Sequence, residues 1–443
     1  MILSRRTLIR NFTLAGLGSF VLQPSFLFAQ SPSIGSGKNV VVINLLGGLD
    51  GLAAFPYLSG ALSNIINGEL RPDLRIAPSS ILPAQRQVGV ANQIGFHPSF
   101  MPLFIHAKDN IKIVQNYGIP GDPGRSHDTC QTLMSLGATE LRSGDNVGFL
   151  ARLMDVQNWD SFQYWSFLAE NPSDTNTTKK PPIVVNNLES LQLPKLWWDS
   201  AGDESLTQEL QNSLLSVQIP RDALGVQQRD TLVSMRDTLA TVKRSIINQP
   251  VGKNKAGDYS DNSIGGSLKD AARVLKSKKF SPDQSAQNKD TLILLGQGGY
   301  DTHSNQNSRD SSSSLAGNLD QLAKNLAVFW VDLELSGMLN DTVIVVYSEF
   351  GRTVYQNGTP GSETVGTDHG HGSSTMVLGG GIVGGVVGNA PTTSELRDED
   401  YNALRPTTDF RDIFSDVFVW LGIDPRAIFN DSSYSRRSLG LFG

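Results

Sequence analysis

Six histidines occur in 443 residues, and several stand where chemistry is feasible. "GGYDTHSNQ" sets Asp301 and His303 directly behind the apolar run "TLILLG", and "GTDHGHG" sets His369 and His371 between glycines. Asp50 follows "NVVVINLLGG", and Glu349 follows the nearly all-apolar "DTVIVVYS". Together Asp50, Asp301, His303, Glu349, His369 and His371 form a mixed carboxylate and imidazole set. Such a set suits one or two divalent ions, Zn²⁺ or Mn²⁺ first, while a carboxylate-dominated subset would also accept Mg²⁺ or Ca²⁺. In "GRSHDTC", Ser126 stands at a helix start, where neighbouring amides can hold an anionic oxygen, so its hydroxyl is a candidate nucleophile. Arg125 and Arg352 are the nearest cationic groups, able either to grip a phosphate or sulfate oxygen pair or to neutralise adjacent carboxylates.

Each residue also has a structural reading. Ser126 can be a plain N-cap, Asp301 an Asx-turn and Asp50 a cap of the next turn. His127 is open between base, ligand and loop hydrogen-bonder. His97, in "GFHPSF", reads as a structural residue ahead of a proline-started helix, and His106 as ordinary packing on that helix. The glycine runs "GGLDG" and "GGGIVGG" match neither a dinucleotide nor a P-loop fingerprint.

The elements that must position these residues alternate. β-branched runs at "NVVVINL", "NIKIVQNYG", "TLILLG", "DTVIVVY" and "STMVLGG" read as buried strands. Between them, "DTCQTLMSLG" and "LAGNLDQLAKNLAVFWVDLELSGML" read as helices, the second with Leu319, Leu322, Leu326, Phe329 and Leu333 at intervals of three and four. The last helix, "DFRDIFSDVFVWLG", has Thr408 or Asp409 as its cap and Gly422 as its stop. Alternation over this length predicts an α/β layered fold, in which ligands bind outside the carboxyl ends of the strands. Every candidate above falls at the end of a strand or beside one. Residues 150–285 break the alternation, with a polar, proline-containing stretch, Trp197 and Trp198, and then helical sequence. They read as an insertion or cap within a single domain spanning 31–443.

Residues 1–30 have a short cationic start and an apolar run, and "SRRTLIR" matches a twin-arginine export signal, so this stretch reads as a removable leader. The expectation is a folded protein delivered by the twin-arginine machinery to the periplasm or the outside. Without that leader the net charge moves from −6 to −9, because Arg5, Arg6 and Arg10 leave with no acidic residue. An acidic chain has no general attraction to nucleic acid, and no later segment is apolar enough to form an integral membrane span. Cys130 is the only cysteine, so no intrachain disulfide can form.

The ordered set "NLLGGLDGL", "RSH", "GGYDTHSNQ", "SEFGRT", "GTDHGHG" and "DFRDIF" resembles the DUF1501 family, itself similar to a branch of the alkaline phosphatase and sulfatase superfamily. The likeness implies a three-layer, alkaline-phosphatase-like core with a mostly parallel central sheet. It also implies Asp50, Asp301, His303 and His369 as metal ligands and Ser126 as nucleophile. Glu349 stands where the superfamily has an aspartate followed by a histidine, but here Phe350 comes next. One imidazole is thereby missing, leaving His127 or His371 to replace it, or one ion in place of two. The implied activity is metal-dependent hydrolysis of a phosphate or sulfate ester. The competing expectation is a non-catalytic exported protein that keeps the fold and binds a carbohydrate or protein through the 150–285 insertion.

Overall fold

The computed structural model describes residues 36–87, 90–168, 172–188, 243–307, 314–362, 364–429 and 431–443. The expected leader, with Trp197 and Trp198, lies outside them.

Among the described residues, a nine-stranded sheet organises the chain. Its strands are β1 (Asn39–Leu45), β2 (Ile111–Gly118), β3 (Tyr164–Ser166), β4 (Ile183–Val184), β5 (Thr291–Gln297), β6 (Thr342–Tyr347), β7 (Ser373–Gly379), β8 (Gly385–Val387) and β9 (Thr408–Asp409). The spatial order is β8, β2, β7, β6, β1, β5, β3, β4, with β9 also paired to β2. β1 is central, and Val41 lies opposite Ile293 on one side and Ile344 on the other, both in parallel register. β7 alone runs against its neighbours.

The central strands are buried and largely apolar because both faces are covered. Val41, Ile43 and Leu45 point into one core, and Val40 and Val42 into the other. On the first face pack α1 (Met101–Ala107), α2 (Ser263–Lys279) and α3 (Leu315–Leu335). On the second pack α4 (His127–Leu136), α5 (Phe149–Gln157) and α6 (Phe410–Leu421). This is a three-layer α/β fold with a largely parallel sheet, as expected. α3 buries Leu319, Leu322, Leu326, Phe329 and Leu333, and α6 is capped by Asp409 and ended by left-handed Gly422. From the 150–285 stretch, β3 and β4 extend the central sheet, and α2 packs on its face.

Because β7 is antiparallel, its amino end lies at the same edge as the carboxyl ends of β1, β2, β5 and β6. The loops carrying Asp50, Ser126, Asp301, Glu349 and His369 therefore meet at one edge.

Candidate metal centre

Three loops are interlocked beneath the site. Gly47, after β1, has φ +117°, and a Cβ there would lie 2.3 Å from the amide nitrogen of Asp301. Gly48, at φ +83°, leaves room only for the ring of Phe350. Glycine is required at both positions by backbone sign and by space. The segment 351–353 forms a short antiparallel ladder with 368–371, in which Arg352 pairs with His369, Gly351 donates to His371 O at 2.8 Å and Gly370 donates to Gly351 O at 2.8 Å. That ladder delivers His369 to the end of β5.

There the side chains converge. Asp301 Oδ1 lies 3.1 Å from His303 Nε2 and 3.2 Å from His369 Nε2, and Asp301 Oδ2 lies 3.6 Å from His127 Nε2. His303 Nε2 and His369 Nε2 are 2.9 Å apart. Ligand atoms of His127, Asp301 and His369 all fall within 4.8 Å of one another. Four ligands around a tetrahedral ion at about 2.0–2.2 Å would stand roughly 3.3–3.6 Å apart, close to these separations.

The outward nitrogens explain the convergence. His127 Nδ1 faces Glu349 Oε1 at 2.8 Å, His303 Nδ1 faces Asp368 Oδ1 at 2.7 Å, and His369 Nδ1 faces the Arg125 carbonyl at 2.8 Å. Each partner can only accept, so in the neutral ring each Nδ1 carries the proton and each Nε2 presents a lone pair inward. Lone pairs of His303 and His369 directed at each other and at a carboxylate call for a cation between them. The Nε2 of His127 is buried without a hydrogen-bond partner, which the same cation would satisfy. The donor set therefore fits a divalent metal.

Burial would raise the Asp301 pKa, but the Arg352 hydrogen bond and charge, with His303 and His369, hold it below the ordinary value. Burial acts likewise on Asp368 and is outweighed by hydrogen bonds from His303 and Asn357. Both are primed to remain carboxylates. Asp301 and His303 are 48% and 45% exposed at the side chain, so the cluster opens to solvent on one side.

Several expected residues have other work. Asp50 is 1% exposed, and its oxygens accept from Arg71 Nη1 at 2.8 and 2.9 Å, from Ala53 N at 3.2 Å and from Gln306 Nε2 at 2.6 Å. It caps a turn and pairs with a cation instead of entering the cluster. Glu349, equally buried, accepts from Gly47 N, His127 Nδ1, Gln131 Nε2 and Ser348 Oγ, and so stands behind His127. His371 is buried with both ring nitrogens engaged, Nδ1 with Tyr401 Oη at 2.6 Å and Nε2 with the Ile119 carbonyl at 2.9 Å. Burial depresses its pKa, and no lone pair is left for a metal. Arg352 is fully buried, donating to the carbonyls of Gly47, Gly48, Tyr300 and Thr367 and to Asp301; it is a clamp between loops and cannot grip a substrate.

Between the two imidazoles open in the sequence, His127 joins the cluster and His371 does not. Phe350 lies beneath, its ring centroid 4.9 Å from those of His127 and His369. Ser126 is exposed at the N-terminus of α4, with no capping hydrogen bond from its side chain. Arg125 is partly buried, donates to the His369 carbonyl at 3.3 Å and to Tyr401 O, and lies over the Tyr401 ring. Sequence reading missed Asp368, Gln306 and Arg71. Asp368 adjoins His369 in "TDHGH" and could have been suspected as an orienting carboxylate, whereas nothing near Arg71 or Gln306 pointed to the site.

No curated protein sequence matches the chain. Among solved structures, it is similar to a protein in the alkaline phosphatase superfamily from Vibrio parahaemolyticus (11% identity, TM-score 0.38, covering 96% of this chain and 78% of that one). It is also similar to a lipoteichoic acid synthase from Listeria monocytogenes (11%, 0.33, 94% and 78%) and to a phosphonate monoester hydrolase from Silicibacter pomeroyi (11%, 0.31, 90% and 78%). Residues 284–439, which carry Asp301, His303, Glu349, Arg352, Asp368 and His369, match the family model described as "Protein of unknown function (DUF1501)".

Proposed function

We propose that this protein is a metal-dependent hydrolase of anionic esters, of the phosphate or sulfate class, with Ser126 as nucleophile. One observation carries the reading: Ser126 is bracketed by two residues that build the metal cluster. The carbonyl of Arg125 fixes His369, and the side chain of His127 is itself in the cluster. Ser126 thus stands between them in the chain, exposed at the amide-rich start of a ten-residue helix. His127, Asp301 and His369 would hold the ion, with His303 at the open side. A bound divalent cation would supply Lewis-acid polarisation of an ester oxygen. The free amides of α4 and the Arg125 guanidinium would bear the negative charge of the non-bridging oxygens. Export through residues 1–30 to the periplasm belongs to this proposal, as does an ester or carbohydrate partner at the open side.

The test is Ser126→Ala with its metal content checked. Hydrolysis of p-nitrophenyl phosphate or sulfate should fall by more than about 10³-fold while the ion stays bound. Undiminished turnover rejects the nucleophile.

One observation favours a second reading. If His303 also binds, the set becomes three imidazoles and one carboxylate, and a four-coordinate site closed by protein is the mark of a structural metal. The protein would then be a non-catalytic exported scaffold. A Co²⁺-loaded sample separates the two: added phosphate perturbs the visible spectrum of an open site and leaves a closed one unchanged.

A further inference from the structure

We infer that this centre holds one metal ion, and that the buried Arg71–Asp50 pair stands in the chain as a fixed brace where a second cation would otherwise be drawn. The inference rests on the metal reading above and adds its stoichiometry. Three of the six expected ligands converge at Asp301, joined by His127; the other three, Asp50, Glu349 and His371, have their lone pairs engaged elsewhere.

Asp50 and Glu349 are the residues a second ion would need, and neither can serve it. Asp50 is neutralised by Arg71, a residue only 2% exposed, whose guanidinium also donates to the carbonyls of Val354, at 2.8 Å, and Thr353. A divalent ion at Asp50 would face that guanidinium in a medium of low dielectric, where like charges repel strongly. An ion that took Asp50 from Arg71 would leave a buried guanidinium without its counter-charge. Glu349 receives four donors, and its Oε1 fixes the His127 ring.

The pair has a positive task instead. Asp50 holds Gln306 Nε2, and Gln306 Oε1 accepts the hydroxyls of Thr302 at 3.0 Å and Thr367 at 2.7 Å. Thr302 lies between Asp301 and His303, and Thr367 donates its amide to the Thr302 carbonyl at 3.0 Å. Arg71, Asp50 and Gln306 thus preset the loop that carries two of the converging side chains. Asp50 is a positioning residue.

The experiment is metal counting on the full chain, loaded with excess Zn²⁺ or Mn²⁺ and dialysed, together with Co²⁺ titration followed by visible absorption. One equivalent is expected, with the Co²⁺ signal saturating at one. Asp301→Ala should lose it. Asp50→Asn should keep one equivalent, bound more weakly because the loop is less well braced; should that variant not fold, the wild-type count and the Co²⁺ endpoint still decide. Two equivalents in the wild type, or a drop from two to one in Asp50→Asn, overturn the inference while leaving the proposed hydrolase standing. No bound ion overturns the inference and the metal reading together.

Discussion

An imidazole becomes a ligand when something fixes its other nitrogen, and here each inward Nε2 has its own fixing group: Glu349 for His127, Asp368 for His303 and the Arg125 carbonyl for His369. This division of labour sets the expected cost of substitution. Glu349→Gln can present its amide nitrogen or oxygen to His127 but loses the charge that favours a cation bound at Nε2. Metal affinity should fall by roughly 10–100-fold, read by competition with a chelator, while Asp301→Ala should abolish binding. Equal losses in both would make Glu349 a ligand after all. The same division limits what the sequence could tell. Asp301 could be named as a candidate because it follows an apolar strand, and His369 because a histidine between glycines has little packing role. Glu349 was taken for a ligand because a carboxylate that binds a metal and one that orients a histidine look alike in a string of residues. His127 stayed open because its role depends on Glu349, 222 residues away.

At the level of elements, strands and helices were readable because burial on both sheet faces writes unbroken apolar runs and helix burial writes a three-four rhythm. The reversal of β7 was not, since direction leaves no mark on composition. That reversal brings His369 in from the far side to meet Asp301, and the loops then need a common fastening. Arg352 provides it by donating to carbonyls of the β1, β5 and 367 loops at once. Arg352→Ala would strand several buried carbonyls, at about 1–3 kcal/mol for each left without water. A loss of about 3 kcal/mol or more in denaturant unfolding is expected, together with loss of metal. Gly47→Ala tests the same interlock from the β1 side: a side chain at φ +117°, 2.3 Å from the Asp301 amide, must push the Asp301 loop outward. Metal affinity should drop even where the fold survives, and an unchanged affinity would show that the loops tolerate slack.

For the whole molecule, no helix among the described residues is long and apolar enough to cross a membrane, and stability is decided by the two cores and by whatever the metal adds. An ion that binds only the folded chain contributes about 2.7 kcal/mol at a hundred times its Kd, so chelation should lower Tm, and by more as the initial metal concentration rises. Acid acts separately through His97, which caps the turn at Pro98 by accepting from the Ser99 amide at 3.1 Å. Burial depresses its pKa from 6.5 to about 4. Above pH 6.5 neither state carries the proton. Between 6.5 and 4 only the unfolded chain takes it up, so stability drains away as pH falls, by at most about 3 kcal/mol. Asp174 works in the opposite sense, because burial pushes its pKa up to about 6 and the folded chain gains relative stability as pH falls below that value. A pH profile of the wild type alone therefore mixes the two. His97→Asn keeps a capping acceptor and removes the titration. In chelator, so that displacement of the metal by protons drops out, the wild type should lose more stability than His97→Asn between pH 7 and 4.5. Parallel profiles would mean that His97 takes up its proton without disturbing the turn it caps.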